Sequence, residues 1–233
     1  MSAFILQLDT STPVCTVSLS RDGKSLGVIH ADGHNVHASS LTTQIAQLME
    51  EQRLQYSDLA AVAVGKGPGS YTGLRIGVST AKGICFAANL PLIAVDSLLM
   101  LAIGFQANHI SDQSSNTLLC PMIDARRMEV YMAIYSAKME LIRATSAEII
   151  DENYFDFLES DQEISLFGSG ADKFEKLFLN HPQVKVVPGI QADAAYLSGL
   201  AYQAYIQQHF EDLTYFEPFY LKDFIPTTPK KQF

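Results

Sequence analysis

Positive charge is scarce in this sequence. Lysine and arginine together number 16, against 25 aspartate and glutamate residues, which leaves a formal net charge of -9 at neutral pH. A chain with this charge repels the phosphate backbone of nucleic acids rather than attracting it. We therefore expect any role in nucleic-acid chemistry to be indirect, through a partner protein.

Cysteine is also rare. Cys15, Cys85 and Cys120 lie far apart in the sequence and are odd in number. This pattern suits neither a disulfide framework nor a C-x-x-C metal site. The sequence therefore predicts three reduced cysteines in the hydrophobic core.

Long apolar runs are missing as well. The longest spans residues 91–105 and includes Asp96, and it is shorter than the ~20 residues that a membrane-spanning helix needs. No basic stretch precedes the first apolar run, so a secretory signal is not expected. These absences predict a soluble, cytoplasmic protein without membrane contact.

The sequence does contain alternating strand and helix patterns, which are typical of an α/β protein. In the first half we expect strands at residues 4–11, 14–20, 25–30, 59–64 and 92–95, and helices at residues 37–53, 72–90 and 96–108. The Asp-Gly turn at residues 22–23 predicts an antiparallel hairpin. The later strand-helix-strand order predicts parallel pairing.

A second half begins again with strands, after a polar and turn-rich segment at residues 109–117. Its strands are expected at residues 118–124, 128–137, 139–145, 164–170 and 184–187, its helices at residues 172–180 and 192–210, and an irregular tail at residues 216–233. The chain is therefore divided into an N-terminal half, residues 1–108, and a smaller C-terminal half, residues 109–233.

The segment GKGPGSYTGLRIG, residues 65–77, is rich in glycine and follows a predicted buried strand. It lacks the Gly-Lys-Ser/Thr of a Walker A loop and the third glycine of a dinucleotide fingerprint. It also lacks the glycines that flank the serine of a nucleophile elbow, so Ser70 is excluded as a hydrolase nucleophile. The absence of an H-E-x-x-H sequence argues against a zinc protease.

Physical chemistry gives this segment another meaning. Gly-Pro-Gly at residues 67–69 predicts a sharp turn with positive φ at a glycine, and Ser70 or Thr72 can cap the following helix. Small residues then leave one side of that helix nearly bare, at a cost in helix propensity. These residues are Gly73, Gly77, Thr80, Ala81 and Gly83. The bare side packs either on the protein's own sheet or on a helix of another chain, and both alternatives stay open.

Other polar clusters give weaker indications. LDTS, residues 8–11, suits either a phosphate or metal-bound water, or a plain turn stabilised by Asp9. His30, His34 and His37 share no helical face and have no cysteine beside them, so no metal site is assigned.

The hairpin MIDARRMEV and the end of the chain also carry charges. Asp124 and Glu129 flank the predicted turn, and its simplest interpretation is a turn in which Asp124 meets Arg126. Lys230 and Lys231 form a small basic end, which is more typical of a solvated surface than of nucleic-acid binding.

Five blocks of the sequence together resemble the bacterial TsaB family, whose members are accessory proteins of tRNA threonylcarbamoyladenosine biosynthesis. The blocks are LDTST, GKGPGSYTGLRIG, PLIAVDSLLMLA, MIDARRMEVYMAIY and FYLKD, and they extend over most of the chain. GPGSYTGLRIG is the specific part, because LDTST alone indicates only the wider actin-like ATPase superfamily.

The resemblance implies two actin-like, ribonuclease H-like halves, each a mixed β-sheet flanked by helices. It also implies a non-catalytic scaffold or activator subunit that binds TsaD, together with TsaE. TsaD transfers a threonylcarbamoyl group to the adenosine beside the anticodon of tRNAs that read codons starting with A. The resemblance implies no cofactor of the chain's own, and it leaves open whether ATP or ADP binds at the junction with TsaD. It also implies a homodimer when TsaD is absent. Contact with tRNA would be indirect.

The family binds TsaD through the helices that match residues 37–53 and 72–88. The residues that the resemblance assigns to partner binding are Leu41, Ile45, Leu48, Ser70, Thr72, Gly73, Arg75, Ile76, Gly77 and Thr80. The candidates for a nucleotide or phosphate loop are Asp9, Thr10, Ser11, Gly67 and Gly69.

Two positions depart from related patterns. TsaD-like subunits hold a metal with two histidines four residues apart on the first helix, whereas here Leu41 stands four residues after His37. The missing pair agrees with a non-catalytic role. Met128 stands where family members often have glycine, so the roles of Arg126 and Glu129 are left open.

Two enzyme classes remain as alternatives to a scaffold. An actin-like ATPase or sugar kinase would use Asp9 and the Gly-Pro-Gly loop at residues 67–69. A protease fits the historical glycoprotease name of the wider family, but neither a nucleophile elbow nor a zinc motif supports it.

Overall fold

Two five-stranded mixed sheets form the framework of the protein. The computed structural model describes residues 2–32, 36–109 and 116–222. In the first sheet the strand order is β3-β2-β1-β4-β5. Its strands are β1 (Phe4–Asp9), β2 (Cys15–Arg21), β3 (Lys24–Ala31), β4 (Leu59–Gly67) and β5 (Leu92–Asp96).

The pairing in this sheet follows the predicted pattern. β1, β2 and β3 form an antiparallel meander, whereas β4 lies parallel to both β1 and β5. Asp22 and Gly23 have positive φ at the hairpin between β2 and β3, which suits the right-handed twist of the strands. The apolar run that begins at Leu59 is a central strand, because neighbours on both sides pair with it.

Two helices cover one face of the first sheet. α1 (Val36–Glu51) and α2 (Tyr71–Ala88) contact each other and contribute to one core cluster with β1, β2 and β4. The Ser70 side chain accepts a hydrogen bond from the Gly73 amide and caps α2, as the sequence predicts. The opposite face is covered by α4 (Leu197–Ile206), although α4 comes from the end of the chain.

The second sheet has the order β10-β9-β6-β7-β8. Its strands are β6 (Thr117–Asp124), β7 (Glu129–Ser136), β8 (Leu141–Ile149), β9 (Glu163–Phe167) and β10 (Val184–Val187). β6, β9 and β10 are parallel, and β7 and β8 are antiparallel additions. α3 (Ser97–His109) joins the sheets, because Met100 packs with the first sheet and Phe105 with the second.

Two predicted helices differ from the structure. The helix expected at residues 172–180 is wrong, since only Asp172–Phe174 forms a 3-10 turn and irregular turns follow. Phe174 and Phe178 are both buried there, so the apolar spacing marks core contacts of a segment that is too short to sustain a helix alone. The helix expected at residues 192–210 is regular only over α4 and follows a 3-10 turn at Ala194–Tyr196.

Candidate partner-binding face and central cleft

The loop after β1 and the glycine segment after β4 interlock inside the protein. The Ser70 amide donates to the Ser11 carbonyl across 2.7 Å. A Cβ added at Gly69 would overlap the same carbonyl, and Cβ atoms at Gly73 and Gly77 would overlap the Thr10 carbonyl and hydroxyl. Glycine is required at these positions because the loop after β1 comes so close to the backbone.

The first part of the glycine segment contacts the polar residues at the ends of two strands, Ser97 after β5 and Asp9 at the end of β1. The Gly67 amide donates to the buried Ser97 hydroxyl at 3.1 Å, and Gly67 has a φ of 106°. A Cβ at Gly65 would overlap the Asp9 carboxylate. The predicted positive φ therefore falls on Gly67.

Asp9 lies at the centre of this interlock with no exposed surface. Its Oδ2 accepts a hydrogen bond from the Ser11 hydroxyl at 3.0 Å, while its Oδ1 has no partner among the described residues. Burial raises the pKa of Asp9 to about 6, against the opposing effect of the Ser11 hydrogen bonds. A negative charge here is costly at neutral pH.

These contacts bury most of the candidate nucleotide or phosphate loop. Asp9, Thr10, Ser11 and Gly67 are all buried, and Gly69 is only partly exposed. Gly69 and the Ser70 amide contact Ser11, so this part of the backbone is in contact with the chain's own atoms.

Half of the predicted partner-binding set is buried within the chain. Five of its members are buried beneath the chain's own atoms: Leu41, Ile45, Leu48, Gly73 and Gly77. The three apolar residues belong to the core between α1 and the first sheet, and the two glycines face the loop after β1. Of the two alternatives for the bare helix side, packing within the chain is therefore the observed one at Gly73 and Gly77.

The other five members remain at the surface. Ser70, Thr72 and Arg75 are exposed, and Ile76 and Thr80 are partly exposed.

The outward face of α1 and α2 consists largely of residues that are not in the predicted partner-binding set. We define the docking face as seven exposed residues of α1 and α2, six of them small and one aromatic: Ala38, Thr42, Ala46, Thr72, Ser79, Gly83 and Phe86. Both helices cover the same side of the first sheet, so these side chains all point away from it. A Cβ at Gly83 would meet nothing within 4 Å, and Phe86 is 85% exposed. Helical spacing of residues 72, 79, 83 and 86 carries this signal in the sequence.

The tail of the chain lies along the edge of α2. Lys82 donates to the Phe216 carbonyl at 2.9 Å, and the Phe219 amide donates to the Lys66 carbonyl at 2.8 Å. Further on, Arg75 lies 4.3 Å from the centre of the Tyr71 ring, and its Nε donates to the Tyr220 hydroxyl at 3.2 Å. The described part of the tail is irregular, as predicted, and Arg75 is held by it.

A central cleft of about 540 Å³ lies between the two halves. Its walls are the loop after β1, the start of α2, the turn between β6 and β7, and residues 219–222 of the tail. Asp124 accepts a hydrogen bond from the Arg126 amide at 3.2 Å, which confirms the Asp-Arg turn. Glu129 pairs instead with Lys222, which the sequence did not indicate.

The remaining candidate residues have structural partners. His30 bonds to Asp193 and His37 to the Thr12 carbonyl, whereas His34, Lys230 and Lys231 lie outside the described residues. Cys15, Cys85 and Cys120 are free and buried, which confirms their predicted place in the core. Within the described ranges, no helix is long and apolar enough to cross a membrane, and no group of three metal-ligating side chains occurs.

The architecture and the comparisons agree on a class of protein. Two mixed sheets with flanking helices and a cleft between them define an actin-like, ribonuclease H-like fold. A structure from Pseudomonas aeruginosa, described as an uncharacterized protein with similarity to peptidase YEAZ, superimposes with a TM-score of 0.80. It has 26% sequence identity and covers 94% of this chain and 100% of its own.

The sequence comparisons define the family. A family model described as TsaD, tRNA N6-adenosine threonylcarbamoyltransferase, matches residues 16–230. TsaB of Haemophilus influenzae is 28% identical over 234 residues, which cover 94% of this chain and 93% of that protein. TsaB of Escherichia coli is 34% identical over 131 residues, which cover 56% and 54%. The chain belongs to this family and, within it, to the TsaB proteins, which act in tRNA threonylcarbamoyladenosine biosynthesis.

Proposed function

We propose that this chain is a non-catalytic subunit that binds a TsaD protein and supports its transfer of a threonylcarbamoyl group to tRNA. The observation that carries the proposal is the docking face on α1 and α2. TsaE is the second proposed partner, and tRNA is reached only through the complex. The net charge of -9 agrees with indirect contact to tRNA.

The docking face has the properties of a helix-packing surface. Its side chains are mostly those of alanine, serine, threonine and glycine, which let a helix from another chain approach closely. Phe86 adds a large exposed aromatic ring at one end, and exposed aromatic residues are enriched among interface anchors.

The closed loop around Asp9 supports a role without catalysis. An ATPase or kinase would need the Asp9 carboxylate and the backbone near Gly69 to reach a bound phosphate. Asp9 has no exposed surface, so its carboxylate is not presented to a ligand. We therefore place the chemistry, and any ATP or ADP, with TsaD or at the junction with it.

The same face accounts for the proposed homodimer. Without a TsaD partner, two copies would cover their docking faces with each other, and TsaD would then compete with self-association. Raising the TsaD concentration should convert the homodimer into a heteromeric complex by mass action.

Light scattering on mixtures of the purified chain with TsaD tests the proposal. A complex with a mass above that of either protein is the expected result, with and without ATP. Two purified, folded proteins that stay separate at tens of micromolar would contradict it. Steady ATP hydrolysis by the chain alone, lost in Asp9→Asn, would favour the ATPase alternative instead.

A further inference from the structure

The Arg75 side chain is held by two tyrosine side chains. Its guanidinium carbon lies 4.3 Å from the centre of the Tyr71 ring and 6.0 Å from the centre of the Tyr220 ring, and the two ring centres are 4.7 Å apart. Its Nε donates to the Tyr220 hydroxyl at 3.2 Å. An exposed arginine has many rotamers to lose on binding, and these contacts restrict them before any partner arrives.

Tyr220 is fixed because the tail is attached on both sides of it. The Phe219 amide donates to the Lys66 carbonyl at 2.8 Å, which joins the tail to the first sheet. Lys222 forms an ion pair with Glu129, which joins it to the second sheet. The Tyr220 hydroxyl therefore has a defined position beside α2.

The rest of the guanidinium group is available to another molecule. Arg75 is exposed, and it forms no ion pair with any residue that the structure describes. The hydrogen bond to Tyr220 is the main influence that raises the pKa of Arg75, and Glu217 adds a weaker attraction from beyond ion-pair distance. The two terminal nitrogens of a guanidinium group match the two oxygens of a carboxylate.

Arg75 stands at the edge of the docking face. It lies three residues after Thr72 and four before Ser79, so the three side chains share one side of α2. The docking face itself contains no charged residue. Small uncharged side chains allow a partner helix to approach closely, whereas a charge pair at the edge fixes its direction and register.

We propose that Arg75 binds a carboxylate of the protein that covers the docking face, and that Tyr220 is the positioning residue for this contact. The inference rests on the proposed function, because it assigns the carboxylate to TsaD. The nearby Glu217 and the net charge of -9 disfavour a more highly charged anion such as a phosphate. The tail thus belongs to the interaction surface, although it lies outside α1 and α2.

Titration of the full chain into TsaD, without nucleotide or tRNA and in a buffer free of phosphate, tests the contact. Arg75→Gln should associate at least about tenfold more weakly than the wild type, and added salt should weaken it less. Arg75→Lys should also stay weaker than the wild type, because lysine keeps the charge but loses the planar group and the Nε donor. The control Arg21→Gln changes an exposed arginine outside the docking face and should bind as the wild type does.

Tyr220→Phe tests the positioning role, because it removes the hydroxyl and keeps the ring. We expect association about two- to fivefold weaker than in the wild type, and no further loss when the change is added to Arg75→Gln. A general effect on the tail would lower the affinity equally in both backgrounds. That result, or no loss in either background, overturns the role of Tyr220. The control Tyr215→Phe removes the hydroxyl of another exposed tail ring and should leave the affinity unchanged.

The outcomes separate this inference from the proposed function. If the wild type does not associate with TsaD, both fail. If it associates and Arg75→Gln or Arg75→Lys binds equally well, only the present inference fails. A loss in Arg75→Gln that appears only after ATP or tRNA is added would assign Arg75 to a phosphate and also overturn it. Arg75→Ala replaces Arg75→Gln if the latter does not fold by circular dichroism.

Discussion

The hydroxyl of Thr10 occupies the space that a side chain at Gly77 would need. Thr10 follows the first strand and Gly77 lies in the middle of α2, so this contact fixes the helix directly above the end of β1. The glycine therefore serves the packing of the chain itself. Six residues later in the same helix, Gly83 is open to solvent, and the two positions predict opposite responses to the same change.

Gly77→Ala should destabilise the chain by about 1–3 kcal/mol, because its Cβ overlaps Thr10 and the close-packed loop has to move. Gly83→Ala should instead stabilise it by about 1 kcal/mol, since alanine has the higher helix propensity and nothing lies within 4 Å. Urea denaturation of both variants measures the difference. Equal effects with the same sign would mean that Thr10 does not restrict α2.

Gly83→Leu should weaken association with TsaD by about 1–3 kcal/mol, because a protruding side chain separates two packed helices. The matched control is Gly199→Leu in α4, another exposed helical glycine with no atom within 4 Å of an added Cβ. Gly199 lies on the opposite side of the first sheet. Titration with TsaD should show a weaker affinity than the wild type for Gly83→Leu and an unchanged affinity for Gly199→Leu. Equal losses of affinity in both variants would mean that the docking face is not the interface with TsaD.

Asp9→Asn should make the protein less sensitive to pH. Burial raises the pKa of Asp9 from 3.8 to about 6. Below pH 3.8 the carboxyl is protonated in both states, whereas between 3.8 and 6 the unfolded chain releases the proton more readily. The free energy of unfolding therefore falls as pH rises through this window, by about 3 kcal/mol for a shift of about two units.

The difference between wild type and Asp9→Asn isolates this group. Denaturation at several pH values from 4 to 8 should show the stability of the variant rising relative to that of the wild type, and the difference should become constant above about pH 7. A constant difference over the whole range would mean that the carboxyl has an ordinary pKa.

Lys173→Met should destabilise the chain by about 1–3 kcal/mol, because three oxygen atoms of the β6–β7 turn lose their common donor. Lys176→Met is a suitable control, since Lys176 is exposed on the same segment. Thermal unfolding should separate the two variants by several degrees. Coincident melting curves would show that the turn holds its shape without the lysine.

The sequence predicts the first sheet well because its signals are local. A continuous apolar run from Leu59 belongs to a strand with neighbours on both sides, and the Asp-Gly pair at residues 22–23 belongs to a hairpin. The segment at residues 172–180 shows the limit of this reasoning. Phe174 and Phe178 have helical spacing, yet they lie in irregular turns. Both are buried because they pack into the core of the second sheet, which local spacing does not reveal.

The sequence predicts that α2 has a side of small residues, but it does not predict which way that side faces. Small residues in α2 indicate close approach, and the sequence alone does not say which side of the helix meets the rest of the chain. Gly73 and Gly77 turned inward because the loop after β1 passes over them, and that contact joins residues more than 60 positions apart. The pairing of Lys173 with Asp124 joins residues 49 positions apart.

The position of α4 has a consequence for synthesis on the ribosome. Ile5, Ala61 and Ile93 belong to the first half, but the helix that covers them ends at Ile206. Phe216 also returns to pack against the core beneath α1 and α2. One face of the first sheet therefore stays uncovered until translation is nearly finished. The first half cannot complete its folding as an independent unit before α4 has been synthesised.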